Sequence, residues 1–346
     1  MTARDAHTPH SILVTGGAGF IGANYLEHVL GTDEIVEITT LDALTYAGSV
    51  DNLAGVMGDP RHDFVRGDIS DATLVNRLLA DREIDTIVHF AAESHVDRSI
   101  TGPATFIQTN LVGTFTLLEA ARTYWLSDKK RNDVRFHHVS TDEVFGSLSE
   151  EDPPFNEGTP YSPNSPYSAS KAGSDHLVRA YHHTYGLPTT ITNCSNNYGP
   201  YQHAEKFIPT VIRSALAGHP IPIYGNGLNI RDWLYVKDHC SAIDAVIQRG
   251  GTGRTYLVGG RSERRNIDIA RQICGILDEL SPREAGSYAE LLSSVPDRLG
   301  HDFRYAIDSR LIESELGWTP VHSFETGIRK TVEWFLQNLA HLEKHG

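Results

Sequence analysis

The chain has 346 residues, a formal net charge of −14 at pH 7 and an isoelectric point near 5.7. This length suffices for one large domain or two closely packed ones, and the negative charge argues against a protein that coats nucleic acid or binds anionic membranes. Cys194, Cys240 and Cys274 are few and scattered, as is typical of free thiols in the cytoplasm. We see no signal peptide, membrane span or metal-ligand spacing among the histidines, so we predict a cytoplasmic protein without a metal.

The first predicted element is a buried parallel strand over residues 11–15, and a glycine-rich turn follows it at once. In this turn Gly16 permits a tight bend, Gly19 lets the backbone approach a pyrophosphate, and Gly22 lets the helix pack against the strand. The N-terminus of that helix offers N–H groups and a positive dipole end to phosphates. The pattern predicts a dinucleotide site, with a purely structural glycine turn as the alternative.

An acidic residue follows each of the next two predicted strands. Asp42 closes the strand over 35–41, at the distance from the glycines where a ribose-binding acid belongs. Its charge would repel a 2′-phosphate, so NAD is favoured over NADP. Asp68 follows the strand over 63–65 and is a candidate adenine contact, with a helix N-cap or turn residue as the alternative.

Apolar, β-rich runs alternate with helical patterns through the first 190 residues or so, which predicts an α/β fold with a doubly wound parallel (Rossmann) sheet. A smaller, mixed substrate lobe should follow, giving domains over 1–195 and 196–346, possibly with segments returning to the first domain. A helix near 105–126 is predicted to carry Leu111, Phe115 and Leu118 on one apolar face. The predicted strands are 11–15, 35–41, 63–65, 84–90, 134–140 and 188–193.

Two groups of residues carry acid–base chemistry. Tyr167 and Lys171 are four apart on a predicted helix and share one face, where the lysine cation favours the phenolate and makes Tyr167 a candidate base. Thr141, Asp142 and Glu143 place two adjacent carboxyls beside a hydroxyl. The chain is therefore equipped for oxidation and for a second acid–base step, and the alternative for the acid pair is a solvated strand end.

These motifs resemble the extended short-chain dehydrogenase/reductase family, and within it the dTDP-glucose 4,6-dehydratases. The resemblance covers the chain from Ile12 to Trp334 and implies an NAD-dependent lyase that acts on dTDP-glucose. Related sugar-nucleotide epimerases keep the Tyr–Lys pair but not the acid pair. Beside the residues above, the resemblance rests on 44–48 (LTYAG), 91–99 (AAESHVDRS), 140–144 (STDEV), 193–200 (NCSNNYGP) and 230–236 (IRDWLYV).

The resemblance implies a role for each catalytic candidate. Tyr167, supported by Lys171, takes the proton of the sugar 4-hydroxyl as NAD is reduced, and Thr141 hydrogen-bonds the same oxygen. Glu143 then removes the proton on carbon five, and Asp142 protonates the departing 6-hydroxyl. Hydride returns to carbon six, so the cofactor ends oxidised. Close carboxylates drive each other's pKa apart, which suits one acid and one base.

The resemblance also implies binding residues. Arg231 and Arg298 suit phosphate because a guanidinium makes two bonds to it, with surface ion pairs as the alternative. The NAD set is Gly16, Gly19, Phe20, Ile21, Gly22, Asp42, Leu44, Thr45, Asp68, Ile69, Ala91, Ala92, Ser94, Thr109, Tyr167, Lys171 and Asn197. The substrate set is Ser94, Thr141, Asn196, Lys206, Phe207, Pro222, Tyr224, Arg231, Asn266, Arg298 and His301.

The sequence departs from the family pattern at Phe145, where Tyr is usual, at Leu299, where Pro is usual, and at Phe303, where a second Arg is common. Two alternatives stay open. A sugar-nucleotide 4-epimerase or decarboxylase, or a dehydratase for another nucleotide sugar, would share the fold. A non-catalytic nucleotide sensor would be expected to have lost Tyr167 or Lys171.

The resemblance further implies a homodimer. In this family a four-helix interface is formed by two helices of each subunit. Here these are the helix with Leu111, Phe115 and Leu118 and the helix with Tyr167, Lys171 and Leu177. The alternative is that both helices simply pack on their own sheet.

Overall fold

A computed structural model describes residues 6–297 and 301–344. Arg298 and Leu299 lie outside the described residues, so the predictions for them stay predictions. The strands are β1 Ser11–Thr15, β2 Glu37–Asp42, β3 His62–Arg66, β4 Thr86–His89, β5 Arg135–Thr141, β6 Thr189–Cys194, β7 Asn196–Tyr198, β8 Ile221–Tyr224, β9 Ile230–Tyr235, β10 Arg254–Val258, β11 Glu263–Arg265 and β12 Leu292–Val295.

Helices alternate with the strands along most of the chain. Short 3₁₀ turns lie at Val50–Leu53, Asp142–Phe145 and Tyr288–Leu291, and π-helical turns at Ile107–Gly113 and Arg122–Asp128. The α-helices are α1 Phe20–Thr32, α2 Ala72–Asp81, α3 Val96–Thr101, α4 Pro103–Phe106, α5 Thr114–Ala121, α6 Pro166–Tyr185, α7 Phe207–Leu216, α8 Val236–Arg249, α9 Asn266–Leu280, α10 Arg310–Leu316, α11 Phe324–Gln337 and α12 Leu339–Lys344.

The predicted doubly wound sheet is confirmed. Seven strands pair in the order β10-β6-β5-β4-β1-β2-β3, and every pairing is parallel. The strand order reverses beside β1, so the carboxyl ends of β1 and β4 border the crevice in which such sheets bind ligands. Each predicted strand is present, with ends that differ by at most two residues. Ile12, Leu13 and Val14 are buried, as expected for a central strand covered on both faces.

The C-terminal part of the chain forms smaller sheets and also returns to the large one. β11, β9 and β7 form one mixed sheet, and β12 pairs with β8. β10 joins the edge of the large sheet beside β6. The division into domains at residue 195 stays a prediction. Within the described residues, no helix is both long enough and apolar enough to cross a bilayer.

The predicted apolar face of Leu111, Phe115 and Leu118 is wrong. Leu118 is fully buried in the core beneath the sheet, Leu111 is half-buried, and Phe115 is 46% exposed. The helical stretch begins with the π-helical turn Ile107–Gly113, whose i→i+5 hydrogen bonds change the spacing of side chains around the axis. The three residues therefore differ in exposure, and only Leu118 is fully buried.

Candidate active site

The glycine-rich turn after β1 forms a cradle that side chains would fill. Gly16 has φ 72°, and a Cβ atom there would lie 2.6 Å from the backbone nitrogen of Ala91. A Cβ atom at Gly22 would overlap the carbonyl oxygen of Gly16, so the first turn of α1 can pack on the loop only as glycine. The free N–H groups of α1 thus open directly onto the crevice, which fits a dinucleotide pyrophosphate.

Asp42 ends β2 and holds the turns on both sides of it. One carboxylate oxygen accepts a hydrogen bond from the N–H of Ala18 at 2.9 Å, and the other accepts one from the N–H of Leu44 at 2.8 Å. Burial raises the pKa of Asp42, and these two donors oppose that rise. Asp68 accepts hydrogen bonds from the backbone and hydroxyl of Ser70, so it is a turn residue on the cleft wall.

One cleft brings most of the predicted residues together. Every residue of the predicted NAD set except Leu44 lines it, together with four of the substrate set: Ser94, Thr141, Asn196 and Lys206. Leu44 instead adopts φ 53° and donates its N–H to Asp42. The cleft is also lined by residues that belong to neither predicted set, among them Tyr46, Cys194, Ser195, Gln202 and His203. Tyr46, Cys194 and Ser195 lie inside the motifs 44–48 and 193–200, which could have indicated them.

Thr141, Asp142 and Glu143 stand where β5 ends at the cleft. Thr141 caps the short turn Asp142–Phe145, because its hydroxyl accepts the N–H of Glu143 at 3.2 Å. The same hydroxyl donates to Asp142 Oδ1 at 3.3 Å. Asn193 on the neighbouring strand donates to the Thr141 carbonyl at 3.0 Å and so fixes the end of β5.

The two carboxyls of this turn differ in their surroundings. Asp142 is 1% exposed, and its buried Oδ2 has no hydrogen-bond partner within the described residues. Burial, followed by the nearby charge of Glu143, raises the pKa of Asp142 well above its usual range. Glu143 is half-buried on the cleft wall. This turn therefore places a buried carboxyl, whose protonated form is favoured, beside a more accessible one.

Helix α6 carries Tyr167 and Lys171 and is built to begin at a fixed point. Ser165 and Ser168 form a capping box, and Pro166 occupies the first turn. Tyr167 and Lys171 then lie one turn apart, both buried and both on the cleft wall. The Lys171 ammonium donates to the carbonyl of Val139 at 2.9 Å.

Burial, rather than the Lys171 cation, is the main influence on the pKa of Tyr167 in the chain by itself. Burial, followed by the charge of Glu143, holds the pKa of Tyr167 well above its usual range. Burial also lowers the pKa of Lys171 to about 8. Burial therefore opposes ionisation of Tyr167 in the chain by itself, and the role of Tyr167 as a base supported by Lys171 stays a prediction.

The remaining predicted substrate residues that lie within the described part of the chain do not line the cleft. Arg231 on β9 donates to the carbonyls of Asp302 at 2.8 Å and Phe303 at 3.1 Å, and its guanidinium lies 4.2 Å from the ring centre of Tyr305. Its positive charge opposes the rise in the pKa of Asp142, so the two groups interact. Phe207 and Asn266 begin α7 and α9, and Pro222 lies on β8.

Tyr224 and His301 form a separate pair beside the C-terminal sheets. Their ring centres are 6.2 Å apart in an edge-to-face arrangement, and His301 Nδ1 lies 2.6 Å from Asp297 Oδ1. A half-exposed tyrosine ring next to an imidazole can stack with a nucleotide base. Arg298, which follows Asp297 directly, lies outside the described residues.

The chain matches a known family of nucleotide-sugar enzymes over most of its length. Residues 13–331 match the family model described as GDP-mannose 4,6 dehydratase. The glycine cradle and the Tyr167–Lys171 pair on a doubly wound sheet define an extended short-chain dehydrogenase/reductase that modifies nucleotide sugars.

The chain is also similar to individual enzymes of one activity within this class. The chain is 57% identical over 329 residues to a dTDP-glucose 4,6-dehydratase of Xanthomonas campestris pv. campestris, covering 94% of this chain and 93% of that protein. It is 55% identical over 337 residues to dTDP-glucose 4,6-dehydratase 1 of Escherichia coli K12, again covering 94% and 93%. The crystal structure of a Streptomyces venezuelae dTDP-glucose 4,6-dehydratase with NAD is 47% identical, covers 97% of this chain and all of that one, and superposes with a TM-score of 0.88. The chain belongs to the dTDP-glucose 4,6-dehydratase family.

Proposed function

We propose that this protein removes water from dTDP-glucose to form dTDP-4-keto-6-deoxyglucose. The observation that carries the proposal is the pairing of Asp142 and Glu143 in the same cleft as Tyr167 and the nucleotide cradle. An oxidation alone needs only the tyrosine and lysine. A buried protonated carboxyl next to a more exposed one supplies the acid and the base that an elimination needs.

The cleft residues fit NAD as the resident cofactor. The glycine cradle leaves room for a pyrophosphate against the start of α1, and Asp42 stands at the end of β2 where a ribose would lie. When bound, NAD supplies the hydride acceptor at carbon four, the hydride donor at carbon six and a positive charge beside Tyr167. Because a negative charge at Asp42 disfavours a 2′-phosphate, NAD is the expected form.

Tyr167 takes the proton of the sugar 4-hydroxyl. Because its pKa is raised, Tyr167 needs nearby positive charge to stabilise its phenolate before it can act as a base. Lys171 contributes to that charge. Thr141 lines the same cleft and can hydrogen-bond the same sugar oxygen. The Thr141 hydroxyl is oriented by its bonds to Glu143 N–H and Asp142.

Glu143 and Asp142 carry out the elimination. A ketone at carbon four makes the proton on carbon five acidic, and Glu143 on the cleft wall removes it. Asp142 holds a proton because of burial and its neighbour's charge, and delivers that proton to the 6-hydroxyl as it leaves. Each such group typically contributes about a hundred- to ten-thousand-fold in rate.

Substrate binding is divided between the cleft and the C-terminal lobe. Ser94, Asn196 and Lys206 line the cleft and are proposed to hold the sugar end; the Lys206 ammonium donates to the Ser94 carbonyl at 3.0 Å. Arg231, together with Arg298, is proposed to hold the diphosphate. Phe207, Pro222, Tyr224, Asn266 and His301 are proposed to hold the nucleoside.

The protein is further proposed to act as a cytoplasmic homodimer. Ile100, Ile107, Val112 and Phe115 are each 38–46% exposed and lie on the consecutive helical segments α3 to α5. This spacing leaves apolar side chains on the outer side of that stretch, where a second copy can cover them.

The proposal is tested with purified protein, NAD and dTDP-glucose. The expected product is a 4-keto-6-deoxy sugar, detected by its absorbance in alkali, without net accumulation of NADH. UDP-glucose serves as the comparison substrate and is expected to react far more slowly. Formation of dTDP-galactose instead, or no turnover at all, would contradict the proposal.

A further inference from the structure

A buried polar cluster lies behind Lys171, on the side away from the cleft. Lys171 and Asp175 are four residues apart on α6 and therefore stack on the same face of the helix. Lys171 is 4% exposed and Asp175 is fully buried. Asp175 does not line the cleft, and the chemistry proposed above gives it no task.

His138 on β5 lies next to both residues. Its Nε2 lies 3.2 Å from Asp175 Oδ1 and 3.4 Å from the Lys171 ammonium nitrogen. Burial lowers the pKa of His138 to about 4, so this imidazole is neutral at pH 7. Burial alone would raise the pKa of Asp175, but His138 and Lys171 reverse that effect and lower it. The cluster at neutral pH thus holds one anion and one cation.

The other oxygen of Asp175 is tied to the end of β5. Asp175 Oδ2 accepts the Tyr161 hydroxyl at 2.8 Å and the Asn193 amide at 3.0 Å. The same amide nitrogen of Asn193 donates to the Thr141 carbonyl at 3.0 Å. Arg179 in turn donates to the Tyr161 hydroxyl at 2.7 Å. Asp175 is therefore tied through Asn193 to the Thr141 carbonyl, and its charge acts on Lys171 through space.

The charges around Lys171 favour this arrangement. Burial lowers the pKa of Lys171, and Asp175 is the largest influence that opposes this fall. The histidines near Lys171 are held neutral by burial, and burial raises the pKa of Cys194. The titratable groups facing Lys171 are Tyr167 and Asp175 from α6, His89 from β4, His138 from β5 and Cys194 from β6.

We propose that Asp175 is a positioning residue that keeps Lys171 charged behind Tyr167 and, through Asn193, fixes Thr141 at the end of β5. The proposal rests on the proposed function, because it assigns Asp175 a role in the step that Tyr167 begins. Its action is indirect, because Asp175 does not line the cleft and influences the reacting groups only through Lys171 and Asn193.

The test is the pH dependence of kcat/KM for dTDP-glucose, measured with NAD-loaded wild type and Asp175→Asn. Without the anion the pKa of Lys171 falls, so the lysine loses its proton at lower pH. The alkaline limb of the profile should move down by about one pH unit or more, as removal of a nearby opposite charge does. Near pH 6 the lysine is charged in both proteins, so the two profiles should converge.

Tyr161→Phe is the matched control. It removes one hydrogen bond to the same carboxylate but keeps the charge, so its alkaline limb should stay within a few tenths of a pH unit of wild type. Asp175→Ser, which can still accept from Asn193 but carries no charge, repeats the test if Asp175→Asn does not fold. An equal loss at every pH in the uncharged variants, or failure of both to fold, would assign Asp175 to stability alone and overturn the proposal. Wild type that never turns over dTDP-glucose would instead overturn the function proposed for the cleft.

Discussion

Asp142 and Glu143 are adjacent in sequence but occupy different environments: Asp142 is 1% exposed beneath the cleft, and Glu143 is half-buried on its wall. The 3₁₀ turn that Thr141 caps turns the two side chains apart at the end of β5. Burial, followed by the charge of Glu143, raises the pKa of Asp142 well above its usual range and so favours its protonated form. The pair therefore suits elimination, which oxidation at the same site does not need.

Replacing Glu143 by Gln should stop dehydration while leaving oxidation intact. The variant lacks a base for the proton on carbon five, and the loss of negative charge makes Tyr167 easier to ionise. Turnover should fall by about a hundred- to ten-thousand-fold. In a single turnover, enzyme-bound NADH should accumulate at 340 nm, and solvent exchange at carbon five should be suppressed.

Two further variants serve as controls for the Glu143→Gln experiment. Glu151→Gln changes an exposed carboxylate shortly after the site turn and should turn over like wild type. Tyr167→Phe should prevent NADH formation itself, because the 4-hydroxyl loses its proton acceptor. Near-normal dehydration by Glu143→Gln would show that this carboxylate is not the base.

Asp142→Asn should make the protein inactive but more stable at neutral pH. The folded-state pKa of Asp142 is raised above its unfolded value of about 3.9, so folding at pH 7 requires uptake of a proton. The cost is absent below the unfolded pKa and grows as pH rises from there toward the folded pKa. Asn needs no proton, so the variant should melt higher than wild type at pH 7, and the difference should vanish near pH 3. If the Tm of Asp142→Asn minus that of wild type were lower at pH 7 than at pH 3, this result would contradict a protonated Asp142.

The glycine cradle gives a paired test on one helix. Gly22→Ala places a Cβ atom against the Gly16 carbonyl, so the loop must open and NAD should be lost on purification. Gly31→Ala lies near the other end of α1, where a Cβ would meet nothing within 4 Å. That variant should retain NAD and gain about 0.5–1 kcal/mol in stability. Cofactor content is read from the absorbance of the released nucleotide, and full NAD occupancy in Gly22→Ala would refute the packing argument.

The proposed dimer is tested at Phe115, which is 46% exposed on α5. Phe115→Asp places a charge in the proposed interface and should shift the mass measured by light scattering at micromolar concentration from dimer to monomer. Ile35→Asp changes a side chain that is 71% exposed elsewhere and should leave the mass unchanged. A wild-type monomer, or a Phe115→Asp dimer of unchanged stability, would rule out this face.

The sequence predicted the strands and most of the residues around the nucleotide cradle, because these depend on local signals, but only four of the predicted substrate residues that the structure describes line the cleft. The run of apolar residues before Gly16 and the acid after β2 are set by spacing along the chain, and a parallel sheet then brings strand ends together. The different exposure of Leu111, Phe115 and Leu118 could not be predicted from spacing, and the π-helical turn at Ile107–Gly113 has no sequence signal. The rise that burial produces in the pKa of Tyr167 was not visible from spacing, because burial depends on the whole fold. For the same reason the network around Asp175 was not visible from the spacing of α6 alone.

In the proposed reaction, hydride leaves carbon four and returns to carbon six of one sugar while Asp142 and Glu143 eliminate water. The most direct measurement uses dTDP-glucose carrying deuterium at carbon four, with the NAD-loaded protein, and locates the label by NMR and mass spectrometry. The account predicts that the deuterium appears in the 6-methyl group of the 4-keto product, with no net NADH. Retention of the deuterium at carbon four, or its release with free NADH, would contradict the account.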